Sequence, residues 1–184
     1  GTTPTNLRVD AGLAAAKINV FLRELVKKSG GVATVGCIEH EPNAINVIPS
    51  RAVMTVDLRN PDKGKLDADE KTLAAYFKEL EGTDHVKISS ERLTEFDPVL
   101  FDENIVQKIE AAASARGLNT RRMTSGAGQD AQMMARICPT AMIFVPSIKG
   151  ISHNPKEYTP DEDCVAGANV FLDVVSEMAG VQQK

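Results

Sequence analysis

Histidine and cysteine are scarce in this chain, with three of each among 184 residues. Cys37, Cys138 and Cys164 are odd in number and show no CxxC spacing. That excludes a disulfide framework or a zinc knuckle and predicts reduced thiols in a cytoplasmic protein. Cys37 reads as packed within an alternating strand, and Cys138 as packed just before a buried one. No apolar run approaches the roughly 20 residues needed to span a bilayer, and no signal peptide is visible. A net charge of −4 gives no general attraction for nucleic acid or for an anionic membrane. An HExxH pair, a nucleophile elbow and carboxylates at a recognisable catalytic spacing are all missing. So are internal repeats and low-complexity tracts.

What remains is an ordinary globular composition, 42% apolar and 25% charged. Residues 10–29 form an amphipathic helix with Leu13, Ile18, Phe21, Leu22, Leu25 and Val26 on one face, ended by Gly30-Gly31. Strands follow at 32–38, 44–48 and 52–58, the last two joined by a tight hairpin at Pro49-Ser50-Arg51. A second amphipathic helix covers 66–81, and 85–93 alternates as a further strand with Val86 and Ile88 on one face. This order fits an antiparallel sheet with two helices on one side. Beyond a connecting segment at 96–101 the pattern changes to alternating helix and strand. It reads as a helix at 103–116, a Gly-rich loop at 125–128, a short helix at 129–137, a buried strand at 140–146, and a helix at 161–179. Parallel strands between helices are expected there. The fold class is α/β in the mixed α+β sense, with two domains, 1–100 and 101–184.

Chemistry is concentrated in a few places. His153 lies in a polar loop between the apolar run TAMIFVPSI and the last helix, where a strand end commonly presents a ligand. Thr159-Pro160-Asp161-Glu162 reads as a capping box with proline at the first helical position, and Glu157 with Asp161, Glu162 and Asp163 as charge complementing the helix dipole. Ser125-Gly126-Ala127-Gly128-Gln129-Asp130 sets a flexible loop against a helix start, matching neither the dinucleotide fingerprint nor a phosphate loop. Asn43 and Asn46 precede the hairpin. Asp57 and Arg59 share a strand face; an ion pair is the plainer reading, a clamp for a substrate carboxylate the sharper one. His40, His85 and the pair Arg121-Arg122 read as solvated surface groups.

The runs GTTPTNLRVDAGLAAAKI, PNAINVIPSRAVMTVDLRN, SGAGQDAQMMA and FVPSIKGISHNPKEYT together resemble the C-terminal half of the metal-dependent amidohydrolases. These are the N-carbamoyl-L-amino-acid hydrolases, allantoate amidohydrolases and β-ureidopropionases of the aminoacylase and carboxypeptidase superfamily. The resemblance implies a βαββαβ lid that carries homodimer contacts, over 1–100, followed by a segment of a zinc-peptidase-like catalytic domain. It implies that His153 is a metal ligand, and that Asn46, Arg59, Gly126 and Gly128 bind a small ureido or carbamoyl amino acid. Arg59 would hold its carboxylate. The full enzyme would use two divalent ions, zinc, manganese or cobalt, to activate water for attack on a ureido or amide carbon.

On the same resemblance, the other metal ligands, the catalytic glutamate and the first lid strand would precede Gly1. This chain alone is then expected to bind no metal and to be catalytically silent, and a dimerisation or binding module is the alternative reading. Gln129 stands where the resemblance leads one to expect histidine. Glutamine donates a hydrogen bond but does not cycle a proton near neutral pH.

Overall fold

The computed structural model describes residues 1–180. The chain divides into two compact units, Gly1–Pro98 and the residues from Val99 onward.

In the first unit, helix α1 (Ala11–Ser29) starts where the Asp10 carboxylate accepts the Leu13 N–H, and ends at Gly30 in the left-handed conformation. Ala14, Ala15, Ile18, Leu22 and Val26 recur every three or four residues and are buried. Four short strands then form an antiparallel ribbon: β1 (Val32–Thr34), β2 (Ile38–Glu41), β3 (Arg51–Met54) and β4 (Asp57–Arg59). Strand β1 pairs with β4 in the register Ala33 to Leu58, and β2 with β3 in the register Ile38 to Met54. Between the two ladders Val35, Gly36 and Cys37 face only Thr55 and Val56, and the Thr55 N–H bonds the Cys37 carbonyl at 3.1 Å. That is a one-residue bulge, which bends and twists the ribbon. Helix α2 (Lys63–Thr83), capped by Asp62, lies beside α1. Ile18, Leu22, Leu73 and Leu80 form the core, joined by Phe21, Ala33, Val35, Met54, Val56, Tyr76, Phe77 and Ile88. Phe21 and Tyr76 stack with centroids 3.9 Å apart.

Three expected features of this unit differ. Residues 44–48 are a turn and not a strand, because Pro42 and Pro49 bracket them and the Ala44 and Val47 N–H groups close back on Pro42 and Ala44. The expected strand 32–38 is split by the bulge, which leaves Cys37 exposed instead of packed. Residues 85–93 join no ladder among the described residues.

They are nevertheless held as extended chain along α2. The Ile88 N–H donates to Glu81, Arg92 reaches Glu70 and Glu95, and Lys63 reaches Glu95. Four extended residues from 88 to 92 span about 13 Å, close to the roughly 16 Å of helix between Glu81 and Glu70. The order of these contacts, 88 to 81 and 92 to 70, shows that the segment runs antiparallel to the helix.

In the second unit, α3 (Glu103–Ala115) packs on α5 (Asp161–Met178), with the short α4 (Asp130–Met134) between them in sequence. Arg116 grips Asp173 at 2.6 and 2.8 Å, and Lys108 pairs with Glu177. Arg122 is no loose surface group, since it bridges Glu103 and Glu110 at 2.8–2.9 Å. The expected buried parallel strand at 140–146 is absent among the described residues: the segment joins no ladder, its Thr140 carbonyl bonds only the Asp102 N–H before α3, and Phe144 and Val145 are exposed. A parallel strand needs ladder neighbours, and the described residues of this unit supply none. Cys138 and Cys164 are exposed too. On α5 only Val170 and Val174 are buried, while Val165, Phe171, Leu172, Val175 and Met178 face water. No helix among the described residues is long and apolar enough to cross a membrane.

Candidate functional site

His153 sits in a loop, 148–158, whose ends meet where the Ile148 N–H bonds the Tyr158 carbonyl at 2.9 Å. No strand leads into it; a 3-10 turn, Ile148–Gly150, does. The loop is tied by its own side chains. The Asn154 carboxamide oxygen accepts from Lys156 N–H, and Ser147 donates to the Ile151 carbonyl. Glu157 accepts the His153 N–H at 2.9 Å, so this carboxylate organises the loop instead of serving the helix dipole. No periodic pattern marks that role in sequence. His153 has φ 54°, left-handed and unusual for a residue with a Cβ, and its imidazole is exposed. The expected capping box also fails, because Pro160 occupies the cap position with no side-chain bond. Acidic Asp161, Glu162 and Asp163 supply the favourable charge at that end.

In the 125–129 loop Ser125 bonds the backbone of Ala127 on both sides. A Cβ added at Gly126 or Gly128 would meet nothing within 4 Å. The fold itself therefore does not demand glycine at either position, which leaves room for another group to approach the backbone closely. Gln129 precedes α4 and makes no side-chain cap bond.

Asn46 and Arg59 both belong to the first unit but to opposite ends of it. Asn46 lies in the loop beyond the β2–β3 end of the ribbon, where its carbonyl meets Gly1 and where Pro49 accepts the N–H of Ala11 at the start of α1. Arg59 closes the other end, paired with Val32, and its carbonyl lies against Gly31 beyond the end of α1. The 19 residues of α1 measure about 28 Å, and eight ribbon steps from 51 to 59 about 26 Å. One small molecule cannot touch both residues of a single chain. Arg59 is ion-paired with Asp57, Nε to Oδ1 at 2.9 Å and Nη2 to Oδ2 at 2.5 Å. The bond to Arg59 holds the Asp57 carboxyl below its ordinary range and raises the guanidinium above its own. An incoming carboxylate would have to share Arg59 with Asp57.

Among the described residues no three of His, Cys, Asp and Glu come together to hold a metal ion. His153 offers one donor, and the residues here do not by themselves fit a two-metal centre. His40 and His85 are exposed, as expected from their charged neighbours.

The model of peptidase family M20/M25/M40 matches residues 6–177. The chain is 38% identical over 183 residues to an N-carbamoyl-L-amino-acid amidohydrolase of Rhizobium meliloti, covering 98% of this chain and 44% of that protein. It is 34% identical over 181 residues to an allantoate amidohydrolase of Escherichia coli K12, covering 97% and 44%. Among solved structures, an amidase of the hydantoinase/carbamoylase family from Burkholderia multivorans superposes with a TM-score of 0.91 at 35% identity, over 100% of this chain and 45% of the other. The chain thus spans less than half the length of these relatives. By a match that runs almost end to end, it belongs to peptidase family M20/M25/M40, alongside that family's carbamoylases and allantoate amidohydrolases.

Proposed function

We propose that these residues form the lid, 1–100, and a catalytic-domain segment, 101–184, of a cytoplasmic amidohydrolase. It cleaves the carbamoyl or ureido C–N bond of N-carbamoyl-L-amino acids or related ureido acids. The observation that carries this reading is the near-complete match to a carbamoylase and an allantoate amidohydrolase. In it Arg59 holds the substrate carboxylate, Gly126 and Gly128 leave space for the substrate against the backbone, and His153 contributes one ligand to a divalent metal. The remaining ligands would come from residues outside these 184, so the chain alone turns nothing over. The distance between Asn46 and Arg59 supports a homodimer. If both residues bind substrate, each site takes Arg59 from one copy and Asn46 from another.

A chimera tests the activity: the unmatched part of the Rhizobium meliloti relative joined to this chain, assayed with zinc, manganese or cobalt. Hydrolysis of N-carbamoyl-L-amino acids or allantoate that is lost in His153→Ala is expected; cleavage of peptides alone would refute the substrate class. Turnover by the 184-residue chain without its complement would refute the silence. A second reading, a dimerisation module without catalysis, draws on the same separation of Asn46 and Arg59. Sedimentation showing dimers of an inactive chimera would favour it.

A further inference from the structure

We infer that Asp57 is a positioning residue for the substrate: it sets the plane of the Arg59 guanidinium before the substrate carboxylate arrives. This rests on Arg59 as the carboxylate clamp and extends that reading to a side chain that acts through it.

The backbone of Arg59 is fixed by the fold. It pairs with Val32, and its carbonyl lies so close to Gly31 that a Cβ added there would come within 2.6 Å of it. The next residue, Asn60, is 6% exposed, and its Oδ1 accepts the Asp62 N–H at 3.0 Å where the chain turns into α2. What such an anchored backbone leaves mobile is a long, flexible side chain.

Asp57 takes up that freedom. Two residues back on the same strand face, it offers both oxygens: Nε lies 2.9 Å from Oδ1 and 3.1 Å from Oδ2, and Nη2 lies 2.5 Å from Oδ2. A two-pronged contact fixes the direction of a planar group, where a single bond leaves it free to swing. Both side chains are about half exposed, and an ion pair in such a place contributes little to folding. Its effect is on where the guanidinium points.

Orientation matters because the proposed substrate is short. In an N-carbamoyl amino acid only the α-carbon and one nitrogen separate the carboxylate from the carbon under attack. A tilt at Arg59 therefore reaches the reacting atoms, where about 1 Å of misplacement can cost up to a hundredfold in rate.

A rival and a positioner have different kinetic signatures. If Asp57 only competed for the guanidinium, neutralising it would lower KM and leave kcat alone. Asp57→Asn keeps the size but replaces one acceptor oxygen by an NH2 group that cannot accept. In the chimera it is expected to lower kcat for an N-carbamoyl-L-amino acid about tenfold. In an Arg59→Gln background it should add nothing, since no guanidinium is left to orient. In the 184-residue chain by itself, NMR should show the Arg59 Nε–H exchanging with water at least tenfold faster in Asp57→Asn than in the parent. Equal exchange in the two chains overturns the fixed guanidinium. A lower KM with unchanged kcat, or equal losses in both backgrounds, overturns the positioning role. Unchanged kinetics in Arg59→Gln would refute the clamp itself, and the role of Asp57 with it.

Discussion

Asp69 offers a substitution with an unusual expected sign. It lies on the inner face of α2 between Leu66 and Leu73, is 4% exposed, and its Oδ2 has no hydrogen-bond partner. A buried polar atom left unsatisfied costs about 1–3 kcal/mol. Aspartate in a helix interior costs roughly another 0.5 kcal/mol against leucine. Asp69→Leu removes both penalties and extends the apolar row, at about 1–3 kcal/mol of strain if the larger side chain does not fit. Asp69→Ala removes both without the strain. The expected result is stabilisation by about 1–2 kcal/mol in at least the alanine variant. Urea titration followed by tyrosine emission suits the measurement. The chain has no tryptophan and two tyrosines, of which Tyr76 stacks in the core of the first unit and Tyr158 is exposed. A loss of more than about 1 kcal/mol in both variants would show that the Asp69 carboxyl has a partner, and would refute the reasoning.

Gly31→Ala is expected to destabilise by about 1–3 kcal/mol in thermal unfolding, because a Cβ there would lie 2.6 Å from the Arg59 carbonyl. Lys17 pairs with the Asp84 carboxylate at 2.6 Å and, with a smaller contribution from Thr83, holds it below the ordinary aspartate range. A depressed carboxyl stabilises above its unfolded pKa and loses that contribution as pH falls through the folded one. Lys17→Met should therefore cost about 0.5 kcal/mol near pH 6 and nothing by about pH 2, read from urea midpoints at both. His153→Gly should stay within about 0.5 kcal/mol of the parent while His153→Val costs 1–2, since only the former relaxes the positive φ; circular dichroism in urea separates them.

Helices α1, α2, α3 and α5 were legible because their information is local, apolar residues every three or four positions with Gly30 as a stop after α1, whereas the caps Asp10, Asp62 and Asp102 emerged only in the structure. Strands depend on partners that no local pattern reveals. Residues 85–93 and 140–146 carry strand patterns without a ladder, and the bulge at Gly36 becomes visible only through pairing register. The exposed His153 loop was legible from its polar residues between apolar runs. Glu157 as its organiser was not, since a bond across four residues inside a loop leaves no period. The wide separation of Asn46 and Arg59, only 13 positions apart in sequence, follows from the extended chain of β3 and β4 between them.

Val165, Phe171, Leu172, Val175 and Met178 are exposed on α5, and at 100° per residue they fall within about 140° of its circumference. In a cell, such a stripe is what chaperones and proteases recognise as an unfinished protein. Left bare, the stripe would lower the steady-state amount of this chain before any catalytic residue mattered.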